Sequence, residues 1–448
     1  MGLTLFATLF AGLALSSPLR RAAGDSSLPP PLRFTSNGTF QISIFEDLHF
    51  GENAWDTWGP QQDLNTVKVM NEVLDAETQQ LVVLNGDLIT GENAYLDNAT
   101  VKIDQIVAPL LARDLAWAST YGNHDSQYNL SRHAILAREH RWPRHARTQQ
   151  MVHGPDAGVS NYYLPVYPSS STGSSSDAPC LLLWFFDSRG GFQFQRRNAS
   201  SGAHIGQPDW VDQSVVTWFE ATNARLAAQY NRSSFPSLAF VHIPTNASQA
   251  AQMSPSGIDP RRQPGINDDA ANLAQQAQGW CADGSNGPEC VYGGQDVPFM
   301  RALAATKGLM AVFSGHDHGD TWCYRWDGVL PGMEVRGSGV NLCFGQHSGY
   351  GGYGNWVRGS GVNLCFGQHS GYGGYGNWVR GSTQVLVDQR KLGGGEVETW
   401  IRLESGEVVG RVELNATYGV DLYAETPDTM THCPTCNYSV ITNMPGTK

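Results

Sequence analysis

Residues 40–49 read Phe-Gln-Ile-Ser-Ile-Phe-Glu-Asp-Leu-His. Phe40, Ile42 and Ile44 alternate with Gln41 and Ser43 at the period of a strand, and the run stops at Asp47 and His49. Moving outward, Gln61–Ala76 carries Leu64, Val67, Met70, Val73 and Leu74 at helical spacing. Leu81–Leu84 (LVVL) is a short buried-strand run, Val101–Leu111 is helical again, and Ala116–Tyr121 reads as a third strand. This βαβαβ rhythm predicts an α/β fold with a mostly parallel sheet and helices on its faces.

The alternation continues. Leu181–Phe186 (LLLWFF), Leu238–Val241 and Leu309–Phe313 read as strands, and Gln213–Asn231 as an amphipathic helix. After 383, Gln384–Val387, Glu396–Leu403 and Val408–Leu414 read as antiparallel strands, with Glu404-Ser405-Gly406 as a turn. The Ser-rich stretch Pro168–Pro179 reads as a surface insertion, and Arg262–Gly294 as a long polar excursion. Residues 336–357 recur without a change at 358–379. A solenoid needs about three or more copies, so two perfect copies read as a tandem duplication or a gene-assembly error.

The 448 residues give a net charge of −12, with 16% charged residues against about 25% in ordinary soluble domains. No basic run is present, so nucleic-acid binding is not expected. Leu3–Leu15 is an apolar run of 13 residues, short of the roughly 20 that a membrane helix needs, and Ala14-Leu15-Ser16 resembles a signal-peptidase site. Residues 1–16 are therefore expected to be a signal peptide and 17–38 a linker, with no later membrane span. N-x-Ser/Thr sequons at Asn37, Asn98, Asn129, Asn198, Asn231, Asn246, Asn415 and Asn437 favour the secretory route, as do the eight cysteines. The expected destination is secreted, cell wall or vacuole. Cys281 and Cys290 bracket a loop that a disulfide would close; Cys433 and Cys436 read as a terminal disulfide or thiols rather than a redox pair.

The chemistry lies at the strand ends. After FQISIF come Asp47 and His49; after LVVL, Gly86-Asp87; after the third strand, Gly122-Asn123-His124-Asp125; after LAFV, His242; after LMAVFS, Gly315-His316-Asp317-His318. Ligands of parallel sheets bind at the C-terminal edge, so these side chains should meet in one crevice. Carboxylates, imidazoles and an amide oxygen suit first-row metals, and the set is large enough for two. Each motif alone is a weak signal; the ordered set is not. His133, His140, His145, His153 and His204 read as surface residues.

Asp-x-His, Gly-Asp, Gly-Asn-His-Asp, His and Gly-His-x-His in this order resemble the signature of the calcineurin-like metallophosphoesterase superfamily. The stretches FEDLHFGE, GNHD, FVHIP, FSGHDHGDTWC and CFGQHSGYGGYGNWVRG resemble a fungal branch related to purple acid phosphatases. The resemblance implies a four-layer α/β/β/α sandwich over 39–415, with 416–448 as a tail. It implies that Asp47, His49 and His318 bind one metal, that Asn123, His242 and His316 bind a second, and that Asp87 bridges them. His124 would protonate the leaving oxygen or steady the transition state, and a metal-bridging hydroxide would be the nucleophile. The metals would be two divalent or mixed-valence ions, Mn, Zn or Fe. Many relatives carry an Asp three residues after the bridging one to orient the catalytic His; here that position is Thr90, with Glu92 nearby. Purple acid phosphatases place a Tyr ligand in that region, so a tyrosinate–iron colour is not expected. The implied activity is hydrolysis of phosphate monoesters, including phosphoproteins. The alternatives are a phosphodiesterase acting on nucleotides or lipid head groups, and a glycoprotein with a disrupted site. His347 and His369, equivalent in the two repeat copies, receive no role.

Overall fold

The computed structural model describes residues 29–52, 54, 58–170, 177–269, 276–281, 290–349 and 378–428. The expected signal peptide, most of the linker, residues 350–377 of the repeat and the Cys433–Cys436 tail lie outside the described residues.

The first half runs β1 (Leu32–Arg33), β2 (Thr39–Phe45), α1 (Trp58–Ala76), β3 (Leu81–Asn85), α2 (Lys102–Leu111), β4 (Trp117–Thr120) and α3 (Arg132–Glu139). Next come β5 (Tyr162–Tyr167), β6 (Leu181–Phe186), β7 (Phe192–Arg197), β8 (His204–Gly206), α4 (Gln213–Gln229), β9 (Ser237–Val241) and α5 (Asn246–Gln252). The chain continues through α6 (Val297–Ala305), β10 (Leu309–Ser314), β11 (Cys323–Trp326), β12 (Val340–Phe344), β13 (Gly381–Asp388), β14 (Val397–Leu403) and β15 (Val408–Leu414). Two large sheets result, ordered β1-β5-β6-β9-β10-β12-β11 and β15-β14-β13-β2-β3-β4. The neighbours β2-β3-β4 are parallel, as are β6-β9-β10-β12.

The sheets face each other across one core. Ile42, Ile44, Val83 and Val385 pack with Leu183, Phe185, Phe240 and Phe313. The opposite face of one sheet presents Phe45, Val82, Leu84 and Trp117 to Val69, Met70, Val73, Ile103 and Ile106 of α1 and α2. The opposite face of the other presents Leu182, Trp184, Phe186 and Val312 to Val215, Phe219, Phe299 and Leu303 of α4 and α6. This is the expected four-layer α/β/β/α sandwich. It explains why LLLWFF is apolar without alternation: β6 is buried on both faces. Each such side chain contributes about 1.5–3 kcal/mol of burial.

Three expectations change. Leu64 is 63% exposed rather than part of the buried stripe of α1. The first turns of that stripe are polar instead: Gln62, Asp63 and Thr66 are buried, with Asp63 accepting from Gly51 N at 3.0 Å and pairing with Lys102 at 2.7 Å. β5 escapes the sequence because Pro165 interrupts its pattern, yet it pairs with β6 on one side and with the two-residue β1 on the other. Asn246 is 4% exposed and its Nδ2 donates to the Gly332 carbonyl at 3.1 Å, so this sequon is closed to glycosylation in the folded chain, whereas Asn37, Asn98, Asn198 and Asn231 are exposed.

Cys281 and Cys290 are disulfide-bonded. A second bond, Cys323–Cys343, joins residues directly opposite each other on β11 and β12. Cys343 and β12 belong to the first repeat copy. The chain re-enters the described residues at Trp378 near the end of the second copy, where Arg380 Nε donates to the Gly349 carbonyl at 2.5 Å.

Candidate metal centre

Five strand ends deliver the expected residues to one place. Asp47 and His49 follow β2, Asp87 follows β3, Asn123 and His124 follow β4, His242 follows β9, and His316 and His318 follow β10. The strands β2, β3 and β4 come from one sheet and β9 and β10 from the other, so the crevice spans the C-terminal edges of both. Donor atoms of Asp47, His49 and His318 converge within 4.8 Å, as do those of Asp87, His242 and His316, and of His49, Asp87 and His124.

The donor atoms are spaced as metal ligands are. His49 Nε2 lies 3.3 Å from His318 Nε2 and 3.9 Å from Asp87 Oδ2. His318 Nε2 is 3.4 Å and His242 Nε2 is 3.8 Å from Asp47 Oδ1, and His242 Nε2 is 3.1 Å from Asp87 Oδ2. Asn123 Oδ1 is buried without a hydrogen-bond partner, an arrangement that costs about 1–3 kcal/mol unless a cation or water completes it. The far nitrogens of two imidazoles are tied back: His49 Nδ1 to Thr90 Oγ1 at 3.0 Å, and His242 Nδ1 to the Asn85 carbonyl at 2.9 Å. Such contacts fix the ring and leave Nε2 for a metal. The residues present therefore fit two cations.

The backbone is bent to achieve this. Asp47, His49, Asp87 and His316 have φ of 53°, 49°, 48° and 76°, a region costly for non-glycine residues and concentrated at functional sites. The glycine before each of two motifs is required by space. A Cβ on Gly86 would sit 2.4 Å from His242 Nδ1, and one on Gly122 would sit 2.2 Å from Asp87 Oδ1.

Charge follows geometry. Burial raises the Asp87 carboxyl, but the His242 and His124 imidazoles outweigh it and hold it well below the ordinary carboxylate range. Burial depresses His242, but Asp87 and Asp47 overcome this and push it up to about 9. Asp47 and Asp87 carry the negative charge that cations would balance in place of a proton on His242. Burial also keeps His49 well below its ordinary range and so neutral, the form a metal ligand takes.

His124 lies beside the cluster, its ring centroid 5.0 Å from that of His49 and its backbone N–H donating to Asp87 Oδ1 at 2.8 Å. Its Nδ1 is 2.6 Å from Glu92 Oε1. Glu92 is thus the carboxylate paired with His124, while Thr90 bonds to His49. Burial opposes the charged form of His124, but Glu92 and Asp87 prevail and push it up to about 10.

Sequence reasoning missed several supports. Asp125 accepts from Leu88 N, Ile89 N and Gly122 N at 2.9–3.0 Å and so clamps the β3 and β4 loops together. Its place next to His124 in Gly-Asn-His-Asp was the available signal. Glu46 is buried behind Asp47 and accepts from Asn85 Nδ2 at 3.0 Å. His347, after β12, also reaches the crevice: its ring centroid is 3.9 Å from that of His318 and 6.5 Å from that of His49.

A family model described as calcineurin-like phosphoesterase matches residues 44–241. The chain is 28% identical over 371 residues to a protein named probable inactive purple acid phosphatase 29 from Arabidopsis thaliana, covering 78% of this chain and 82% of that one. It is 26% identical over 305 residues to phosphatase DCR2 of Saccharomyces cerevisiae, covering 66% of this chain and 47% of that one. Among solved structures, a dimetal phosphatase from Danio rerio aligns at 14% identity over 84% of this chain and 98% of that one, with a TM-score of 0.44.

Proposed function

We propose that this chain, which belongs to the calcineurin-like metallophosphoesterase superfamily, is a two-metal hydrolase of phosphate monoesters, phosphoproteins included. The observation that carries the proposal is the convergence of Asp47, His49, Asp87, His242, His316 and His318, with Asn123 at the end of β4 and its Oδ1 buried and unpartnered, beside a His124 already paired with a carboxylate. Asp47, His49 and His318 would hold one cation, Asn123, His242 and His316 the other, and Asp87 both. Two cations in such a site, of Mn, Zn or Fe, lower the pKa of a water and polarise phosphoryl oxygens.

The chain's own groups supply the rest. His124, kept protonated by Glu92 and Asp87, stands ready to give its proton to the departing ester oxygen. Thr90 and the Asn85 carbonyl keep His49 and His242 turned toward the crevice. The burial of His124, Asp87, His49 and His242 strengthens each charge interaction. Among the described residues, two disulfides and four exposed sequon asparagines support a secreted, cell-wall or vacuolar location.

The test compares turnover of a phosphate monoester and a diester by metal-reconstituted and chelated protein. Monoester hydrolysis that chelation abolishes is expected. A diester rate tenfold above the monoester rate would replace the substrate class. No turnover at full metal loading would mark a disrupted site, the state that the name of the Arabidopsis thaliana relative gives for that protein.

A further inference from the structure

His347 stands out among the buried histidines. It is 1% exposed, and neither Nδ1 nor Nε2 makes a well-directed hydrogen bond, the Asp47 carbonyl being the acceptor near the ring; no other buried histidine among the described residues has both nitrogens in that state. Its position is built rather than incidental. The segment bridges in parallel to Glu46, beyond the end of β2. Ser348 N donates to the Glu46 carbonyl and Gly349 N to the Asp47 carbonyl, each at 3.1 Å. On the other side Gly381 N donates to the His347 carbonyl at 3.3 Å, and Gln346 N to Thr383 Oγ1 at 3.0 Å. Two strands thus hold the ring against His318, itself beside Asp47 and His49.

An imidazole carries one donor and one acceptor when neutral, and leaving both unmet in a buried site is costly. Its nitrogens are not part of any of the three converging donor clusters, so the ring borders the metal set without belonging to it. A ring that borders the donor set for two cations and keeps a nitrogen unmet is suited to an anion bound over that set. We propose that His347 is a substrate-contacting residue that donates a hydrogen bond to a non-bridging phosphoryl oxygen bound over the Asp47–His49–His318 cluster. This rests on the phosphoesterase reading above. It also gives the first repeat copy the functional histidine and leaves His369 of the second copy dispensable.

The probe is inorganic phosphate with metal-reconstituted full-length protein. His347→Ala should weaken phosphate, measured as a competitive inhibition constant and by calorimetry, by roughly tenfold or more, and raise KM alike, with metal content unchanged. His347→Gln, which keeps a donor near Nε2, should recover part of the loss, and His369→Ala should match the parent. Loss of metal in His347→Ala would overturn the proposal in favour of a ligand role. Unchanged phosphate affinity, or an equal effect of His369→Ala, would also overturn it. Phosphate binding by calorimetry without any turnover would strike only the hydrolase reading, since the His347 comparison would still be readable.

Discussion

Glu92→Gln removes the charge from the partner of His124 while keeping its shape. The contact is 2.6 Å long, with the side chains only 1% and 10% exposed, so it is weakly screened. A hydrogen bond to a charged group contributes about 1.5–3 kcal/mol, which corresponds to roughly 10- to 100-fold in rate. The loss should depend on the substrate, because an acid matters only when the departing oxygen needs a proton. Across a series of aryl and alkyl monoesters, Glu92→Gln should lose that factor on alkyl esters and little on a dinitrophenyl ester. His124→Ala sets the ceiling at about 10²–10⁴-fold, with the metals retained. The pH profile gives the sign independently. Burial depresses His124, and Glu92, with Asp87, is what pushes it up to about 10. Without the Glu92 charge the imidazole loses its proton at lower pH, so the alkaline limb of kcat/KM should move down in pH. The assay is steady-state kinetics with metal content measured on the same samples. An equal loss on every leaving group, or loss of metal, would refute Glu92 as the residue that acts through His124.

Three further outcomes are expected. Asp87→Asn should lower metal occupancy, by plasma mass spectrometry, together with turnover, because its carboxylate converges with His242 and His316 in one cluster and with His49 in another. Gly122→Ala should lower both metal content and melting temperature, since its Cβ would fall 2.2 Å from Asp87 Oδ1 and 2.5 Å from Asp87 N and overpacking costs about 1–3 kcal/mol. Deleting 358–379 should give a folded protein with activity at least equal to the parent and a higher melting temperature: the sequence through Gly349 and from the Trp-Val-Arg onward is unchanged, the Arg380–Gly349 contact holds the ends together, and the six residues left between them span up to about 20 Å. An unfolded deletion protein would show that both copies are structural.

The strands that position the site were legible because buried parallel strands are short apolar runs that stop at a polar residue. LVVL before Asp87 and LMAVFS before His316 map onto β3 and β10 almost residue for residue. What was hidden depends on contacts between distant segments. Glu92 could not be assigned from its spacing, because its reach to His124 depends on how the loop after β3 lies against the loop after β4. His347 follows the strand VNLCF, but an identical copy of that segment with His369 left its assignment open, and its place follows from pairing with Glu46 and Gly381. The Cys323–Cys343 bond likewise required knowing that β11 and β12 are antiparallel neighbours. Leu64 misled because helical spacing alone does not show that polar Gln62 and Thr66 take the buried side of the first turns.

The most direct measurement is activity on a phosphate monoester as metal-free protein is titrated with Mn, Zn or Fe. Six donors arranged about Asp87 predict that activity rises to a break at two equivalents per chain and that Asp87→Asn abolishes the break. A break at one equivalent, or hydrolysis no faster than the metal-only blank at saturation, would contradict a two-metal phosphoesterase.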